Sequence, residues 1–310
     1  GFMCNYNKVI KEISDLNLNL KIWCNEPMSK HTSFKIGGNA DIFIIINSIN
    51  DLTTVIEILN IFNVPFFIIG NGSNLLVSDK GIRGAVIKLS GEFLNIKLVD
   101  ENTVECGAGV LISKLCSFAC QNSLSGLEFA YGIPGTAGGA VFMNAGAYGG
   151  EMKDVILSAK SLTFSGKIID RSAEEMEFSY RRSIYRHVSE IILSAKFELK
   201  KDDKLHIKEK MNEYITRRKQ KQPLEYPNAG SVFKRPVGNF AGTLIQTCGL
   251  KGKKIGGAMV SEKHSGFIIN NGSATCEDVV NLIDHIKATV FEKSNIALEC
   301  EVEIVGDFSS

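Results

Sequence analysis

The sequence predicts an α+β protein of more than one domain, and three observations carry that reading. Its 310 residues exceed what one small hydrophobic core serves. Runs of β-branched residues alternate with stretches of helical periodicity along the chain. A glycine-rich stretch over residues 132–150 is too dense in glycine for a helix or strand interior, where each glycine costs backbone entropy and removes a packing side chain.

Hydrophobic residues at 44% and charged residues at 22% are ordinary for a soluble globular protein. A formal net charge of +1 provides no field for nucleic acid or an acidic membrane, and the one short basic run, residues 217–221, suits one or two phosphates. Eight cysteines without a C-x-x-C pair argue against a disulfide framework and a zinc site, and fit a reducing cytoplasm. Cys116 and Cys120 share a helix face and are expected to pack there. Gly1-Phe2 ahead of Met3 reads as an expression remnant, with no signal peptide or membrane span after it.

Taken in order, residues 8–20 carry Val9, Ile10, Ile13 and Leu16 at helical spacing. Residues 31–41 approach the pair Gly37-Gly38, a turn or a ligand loop, and lead into a strand at 42–46. Asp51 is expected to cap a helix burying Leu52, Val55, Ile56 and Leu59. A buried strand at 65–69 ends in Gly70-Asn71-Gly72-Ser73-Asn74-Leu75-Leu76. This is no dinucleotide fingerprint, because Leu75 replaces the third glycine and no helix follows; its small polar groups can still bond a diphosphate. Strands at 85–89 and 103–106 and a helix at about 111–121 precede the glycine-rich stretch. There Ile133, Val141, Phe142 and Met143 seek burial, which favours a cofactor cradle over a flexible linker. Strands near 156–164 and 191–199 flank Tyr180-Arg181-Arg182-Ser183-Ile184-Tyr185, either a solvated face or an anion clamp. A charged helix at 204–219 leads to a boundary at 222–227, then to Ser231 among cations, and on through helix, strand, strand, helix and strand.

Four separated motifs together resemble the MurB family of bacterial cell-wall reductases: residues 34–41; residues 70–76 with 132–150; residues 180–185; and Ala229-Gly230-Ser231-Val232-Phe233-Lys234. Residues 260–270 and 298–302 add support, so the likeness runs over about residues 20–306. The resemblance implies a two-lobed FAD-binding domain of the p-cresol-methylhydroxylase (PCMH) and vanillyl-alcohol-oxidase type, plus a C-terminal α+β substrate-binding domain. The implied segments are 1–19 (N-terminal helix), 20–221 (FAD-binding, with its PCMH-type part at about 34–200), 222–300 (substrate-binding) and 301–310 (final strand and tail). It implies NADPH-dependent reduction of UDP-N-acetylglucosamine enolpyruvate, in the cytoplasm, by a monomer, with no nucleic-acid, membrane or metal partner. FAD contacts are implied for Asn71, Gly72, Ser73, Asn74 and Leu75, and for Ile133, Pro134, Gly135, Thr136, Ala137, Gly138, Gly139 and Ala140. Catalytic roles fall on Arg181, Ser231 and Glu301, and substrate contacts on Lys221, Lys234 and Arg235; Arg217 is a weaker match.

That chemistry suits the residue types. Hydride arriving at C3 of an enolpyruvyl ether leaves carbanion character at C2, which needs a proton and a stabiliser of the growing charge. A serine hydroxyl donates only if neighbouring cations such as Lys234 or Arg181 stabilise its alkoxide. Arg181 offers a planar fork for the substrate carboxylate, and a protonated Glu301 can polarise the far oxygen. Arg235 replaces an asparagine frequent in the family, Cys300 replaces a proline, and the short spacing from Arg181 to Ser231 marks a subtype without the tyrosine loop that closes over substrate. Two rival readings are a flavin oxidase using oxygen and a non-catalytic nucleotide-binding module. An oxidase needs a base in place of an acid, and a binding module has no use for Ser231.

Overall fold

The computed structural model describes residues 6–310; the expected expression remnant at residues 1–2 lies outside them. The chain forms two compact units: the first is built from the chain up to Cys24, Ile42–Asn71 and Gly84–Arg217, the second from Asn25–Asp41, Gly72–Arg83 and Arg218–Ser310. Each has its own hydrophobic core. Among the described residues no helix is long and apolar enough to cross a membrane.

In the first unit, α1 (Asn7–Asp15) buries Val9 and Ile13. It stops well short of residue 20, because Asn17 turns left-handed at φ 49° and strand Leu20–Pro27 begins. Helix α2 (Ile49–Ile61) buries the expected Leu52, Val55, Ile56 and Leu59, but its cap is Ser48, whose Oγ accepts from the Asp51 N–H at 3.1 Å. Asp51 lies in the first turn instead, where its charge complements the helix dipole. Strand Phe66–Ile69 is half-buried rather than buried, since it is the edge of its four-stranded sheet and has one neighbour, Ile82–Leu89, parallel to it. Helix α3 (Ile112–Gln121) packs Cys116 and Cys120 inward as expected.

The glycine-rich stretch departs from expectation, because it contains a short helix, α4 (Ala137–Phe142), capped by Thr136 Oγ1 on the Gly139 N–H at 3.3 Å. A five-stranded antiparallel sheet runs Ile168–Ser172, Ile156–Thr163, Glu190–Glu198, Thr103–Gly107, Ile96–Leu98. Its edge strand Ile168–Ser172 is not legible in the sequence, being largely solvent-facing and so lacking an apolar run. Fully buried Phe197 and Phe93 anchor this core, each contributing about 2–3 kcal/mol by burial. Helix α5 (Lys204–Lys221) buries Ile207 and Met211.

The second unit is a four-stranded antiparallel sheet, Asn228–Ser231, Phe267–Asn270, Ala258–Val260, Lys254–Ile255, with helices α6 (Ala241–Thr247) and α7 (Cys276–Ser294). Between those helices lie three strands where two are expected, because Lys254–Ile255 and Ala258–Val260 form a tight hairpin through Gly256-Gly257. A capping box of Thr275 and Asp278 starts α7, and the Asp79 carboxylate accepts from Cys276 N at 2.8 Å and Glu277 N at 3.0 Å. Strand Glu303–Val305 pairs in parallel with Leu75–Val77.

Candidate active site

The expected cofactor loops meet within the first unit as far as Asn71. A Cβ on Gly70 would stand 2.6 Å from Thr136 Oγ1, so the end of strand Phe66–Ile69 lies directly against the cap of α4. Gly139, by contrast, is exposed, and a Cβ there would have only Thr136 Oγ1 nearby, at 3.5 Å. The first amides of α4 are already engaged, Ala137 N by the Val110 carbonyl at 2.8 Å, Gly138 N by the Ala108 carbonyl at 2.9 Å and Gly139 N by Thr136, so what this surface offers a flat or diphosphate-bearing cofactor such as FAD is close approach to side-chain-free backbone at Gly139.

Arg181, also in the first unit, sits at the tip of a tight turn with left-handed φ 54°, closed by mutual bonds of Ser179 and Arg182 at 3.1 Å. Its Nη2 donates to the Gly146 carbonyl at 3.1 Å, and its guanidinium lies 4.8 Å from the Tyr180 ring centroid. Asn144, fully buried, braces this arrangement. Its Nδ2 donates to Glu151 Oε2 at 2.8 Å and to the Ser179 carbonyl at 3.0 Å, and its Oδ1 accepts from Lys153 N at 3.0 Å. Ser183 Oγ donates to the Phe142 carbonyl, fastening the far side of the turn to the end of α4.

Ser231 and Glu301 belong to the second unit, seventy residues apart in sequence, and come together there. Glu301 N donates to the Val232 carbonyl at 2.7 Å, Lys234 N to the Glu299 carbonyl at 2.9 Å, and Phe233 faces Cys300 in an antiparallel bridge. The register slips between Asn228 and Ser231, with Gly230 left-handed at φ 75° and its N–H held by Asn228 Oδ1 at 2.9 Å. This bulge turns Ser231 away from the direction that strict alternation would give it.

The 72–75 loop is fixed to the same segment. Asn74 Nδ2 donates to the Glu301 carbonyl at 3.2 Å, and Glu303 N donates to the Asn74 carbonyl at 2.9 Å. Asn74 therefore spends one amide hydrogen on the protein rather than offering both to a diphosphate.

Of the expected substrate cations, Lys234 Nζ lies 4.0 Å from exposed Glu299, and Arg235, exposed, stacks 4.9 Å over Phe240. Lys221 ends α5. Burial, with a smaller contribution from Lys221, holds the His264 imidazole below its usual pKa. His264 Nδ1 accepts from Gly266 N at 3.0 Å, so the neutral ring carries its proton on Nε2. Arg217 is engaged by Glu213 at 2.6 Å within the first unit.

Asn144, Glu151 and Asn228 were not anticipated. The one signal for Asn144 was its place inside the glycine-rich stretch, where a buried asparagine can serve several backbone groups at once.

Two family profiles match the chain: the C-terminal domain of UDP-N-acetylenolpyruvoylglucosamine reductase over residues 222–305, and an FAD binding domain over residues 40–172. A UDP-N-acetylenolpyruvoylglucosamine reductase of Lachnoclostridium phytofermentans is 49% identical over 304 residues, 97% of this chain and 98% of that protein. One of Caldanaerobacter subterraneus subsp. tengcongensis is 52% identical over 287 residues, 93% and 94% of the two chains. The crystal structure of the Thermus caldophilus enzyme, MurB, superposes with a TM-score of 0.79 at 35% identity, covering 93% of this chain and 99% of that one. The expected α+β fold, an FAD-binding domain followed by a C-terminal domain, holds.

Proposed function

The chain belongs to the UDP-N-acetylenolpyruvoylglucosamine reductase (MurB) family, and from that premise we propose that Ser231, Arg181 and Glu301 carry its reaction. The protein is an FAD-dependent oxidoreductase of peptidoglycan precursor synthesis that uses NADPH to reduce UDP-N-acetylglucosamine enolpyruvate to UDP-N-acetylmuramate. Bound FAD, reduced by NADPH, supplies the hydride for C3 of the enolpyruvyl ether. Residues 71–75 and 133–140 hold its diphosphate and ring side in this reading.

Ser231 Oγ gives its proton to C2 as the C2–C3 double bond is reduced, and recovers one from solvent. Arg181 binds the substrate carboxylate through its planar fork, taking up charge that spreads from C2. Glu301 orients the other carboxylate oxygen and, if protonated, donates to it. Lys234 favours the transient alkoxide of Ser231, while Lys221 and Arg235 bind the UDP-sugar. In this reading residues 20–221 serve FAD, apart from Arg181 and Lys221, which act on the substrate, and residues 222–300 serve the nucleotide sugar. We also infer a cytoplasmic monomer, consistent with the buried thiols of Cys106, Cys116, Cys120 and Cys276 and with the cellular supply of NADPH and UDP-sugars.

The observation that carries this reading is the bond from Glu301 N to the Val232 carbonyl at 2.7 Å, which makes Ser231 and Glu301 neighbours on paired segments. The test is anaerobic. NADPH should bleach the flavin of Ser231→Ala as in the parent, but UDP-N-acetylglucosamine enolpyruvate should no longer restore it. Ser231→Cys should recover part of the second step, because a thiol still donates a proton. Full recovery by Ser231→Ala would remove Ser231 from the mechanism.

A further inference from the structure

We propose that Tyr214, on α5, is a positioning residue for Arg181. The proposal rests on the catalytic reading of Arg181 given above, and every contact it uses lies within the first unit. The Gly146 carbonyl that receives the Arg181 guanidinium at 3.1 Å belongs to a two-stranded ribbon in which Gly146–Ala147 pairs with Gly150–Glu151. At the tip of that ribbon Tyr148 and Gly149 make the two-residue turn, both left-handed at φ 51° and 81° as such a hairpin requires, and a bulky tyrosine fits there less readily than asparagine or glycine. Tyr214 packs on that strained tyrosine. The two rings stack face to face, centroids 4.6 Å apart and planes within 10°, and Tyr148 Oη donates to the Tyr214 carbonyl at 3.4 Å.

Arg217, nearly one turn further along α5, flanks the stack with its guanidinium 5.7 Å from the Tyr148 ring and 6.0 Å from the Tyr214 ring, while Glu213 fixes it at 2.6 Å. The ribbon is thus clamped at both ends, by Asn144 and Glu151 at its base and by Tyr214 at its tip. The Gly146 carbonyl has little freedom between them. A shift at Tyr148 moves that carbonyl, and the guanidinium with it, away from the substrate carboxylate.

The test compares Tyr214→Ala, Tyr214→Phe and Arg181→Lys in the flavin-loaded protein, with two readouts. One is the rate of flavin reoxidation by saturating UDP-N-acetylglucosamine enolpyruvate, set against flavin reduction by NADPH. The other is amide hydrogen exchange over residues 146–150. Tyr214→Ala should slow reoxidation about tenfold or more with reduction by NADPH unchanged, as expected when a reacting group is misplaced. It should also speed exchange in the ribbon. Tyr214→Phe, which keeps the stacked ring, should restore both. Faster exchange with unchanged reoxidation, or unchanged exchange, overturns the proposal, provided that Arg181→Lys slows reoxidation. If Arg181→Lys leaves reoxidation unchanged, the catalytic reading of Arg181 itself has failed and the proposal falls with it. Should Tyr214→Ala fail to fold, Tyr214→Leu carries the same readouts, because it keeps apolar bulk and loses only the flat ring.

Discussion

Replacing Asn144 with alanine tests whether the turn that bears Arg181 is held from beneath. The side chain is fully buried and makes three hydrogen bonds of 2.8–3.0 Å, to Glu151, to the Ser179 carbonyl and from Lys153 N. At about 1 kcal/mol for each bond, the lost contacts amount to roughly 3 kcal/mol. Its left-handed φ of 47°, which asparagine tolerates better than alanine, adds up to about 1 kcal/mol. The expected loss is therefore about 3–4 kcal/mol, measured as the difference in unfolding free energy from urea titrations of flavin-loaded protein. Asn144→Asp keeps the acceptor for Lys153 but sets a carboxylate against Glu151, so it should lose at least as much. In whatever fraction remains folded, the enolpyruvate-dependent step should suffer more than reduction by NADPH, because Ser179 belongs to the Arg181 turn. A loss below about 1 kcal/mol, or equal slowing of both half-reactions, would refute the reasoning.

Gly72→Ala should be poorly tolerated. Its φ is 62° and a Cβ would stand 2.1 Å from the His31 carbonyl, so flavin content after purification should drop sharply. Gly230→Ala meets open space, so its cost is that of the left-handed backbone alone, about 1–2 kcal/mol by denaturant titration. Any further loss of turnover in that variant reports a change in the aim of Ser231. Asp278 should contribute to acid sensitivity: the Thr275 N–H, chiefly, and the Gly257 N–H hold its carboxyl below the usual carboxylate range. Because the folded pKa lies below the unfolded one, this stabilisation is complete above the unfolded value and is lost as pH falls through the folded value. The urea midpoint of Asp278→Asn should therefore vary less than that of the parent between neutral pH and the acidic range; parallel curves would exclude the linkage.

Local rules made much of the molecule legible before any coordinates. Helical spacing located α2 and α3, a charged run located most of α5, and the motif residues stood out because few combinations of glycine, serine and arginine occur in that order. Where local reasoning failed, a nonlocal partner decided. Strand Ile168–Ser172 has no apolar run, since it is held by pairing with Ile156–Thr163 rather than by burial. Helix α4 forms in a segment too rich in glycine for helical propensity, because Thr136 caps it and Ala140 and Val141 bury against the core.

By itself the sequence determined which residue types were available, the family, and therefore the reaction. Tertiary structure alone decided which residues stand together within each unit: Ser231 beside Glu301, Asn144 beneath the Arg181 turn, Tyr148 against Tyr214. The physical reason is that backbone propensity and capping act over a few residues, whereas these pairs form only when sheet register and core packing close loops of tens of residues. No short-range pattern encodes where those loops will end.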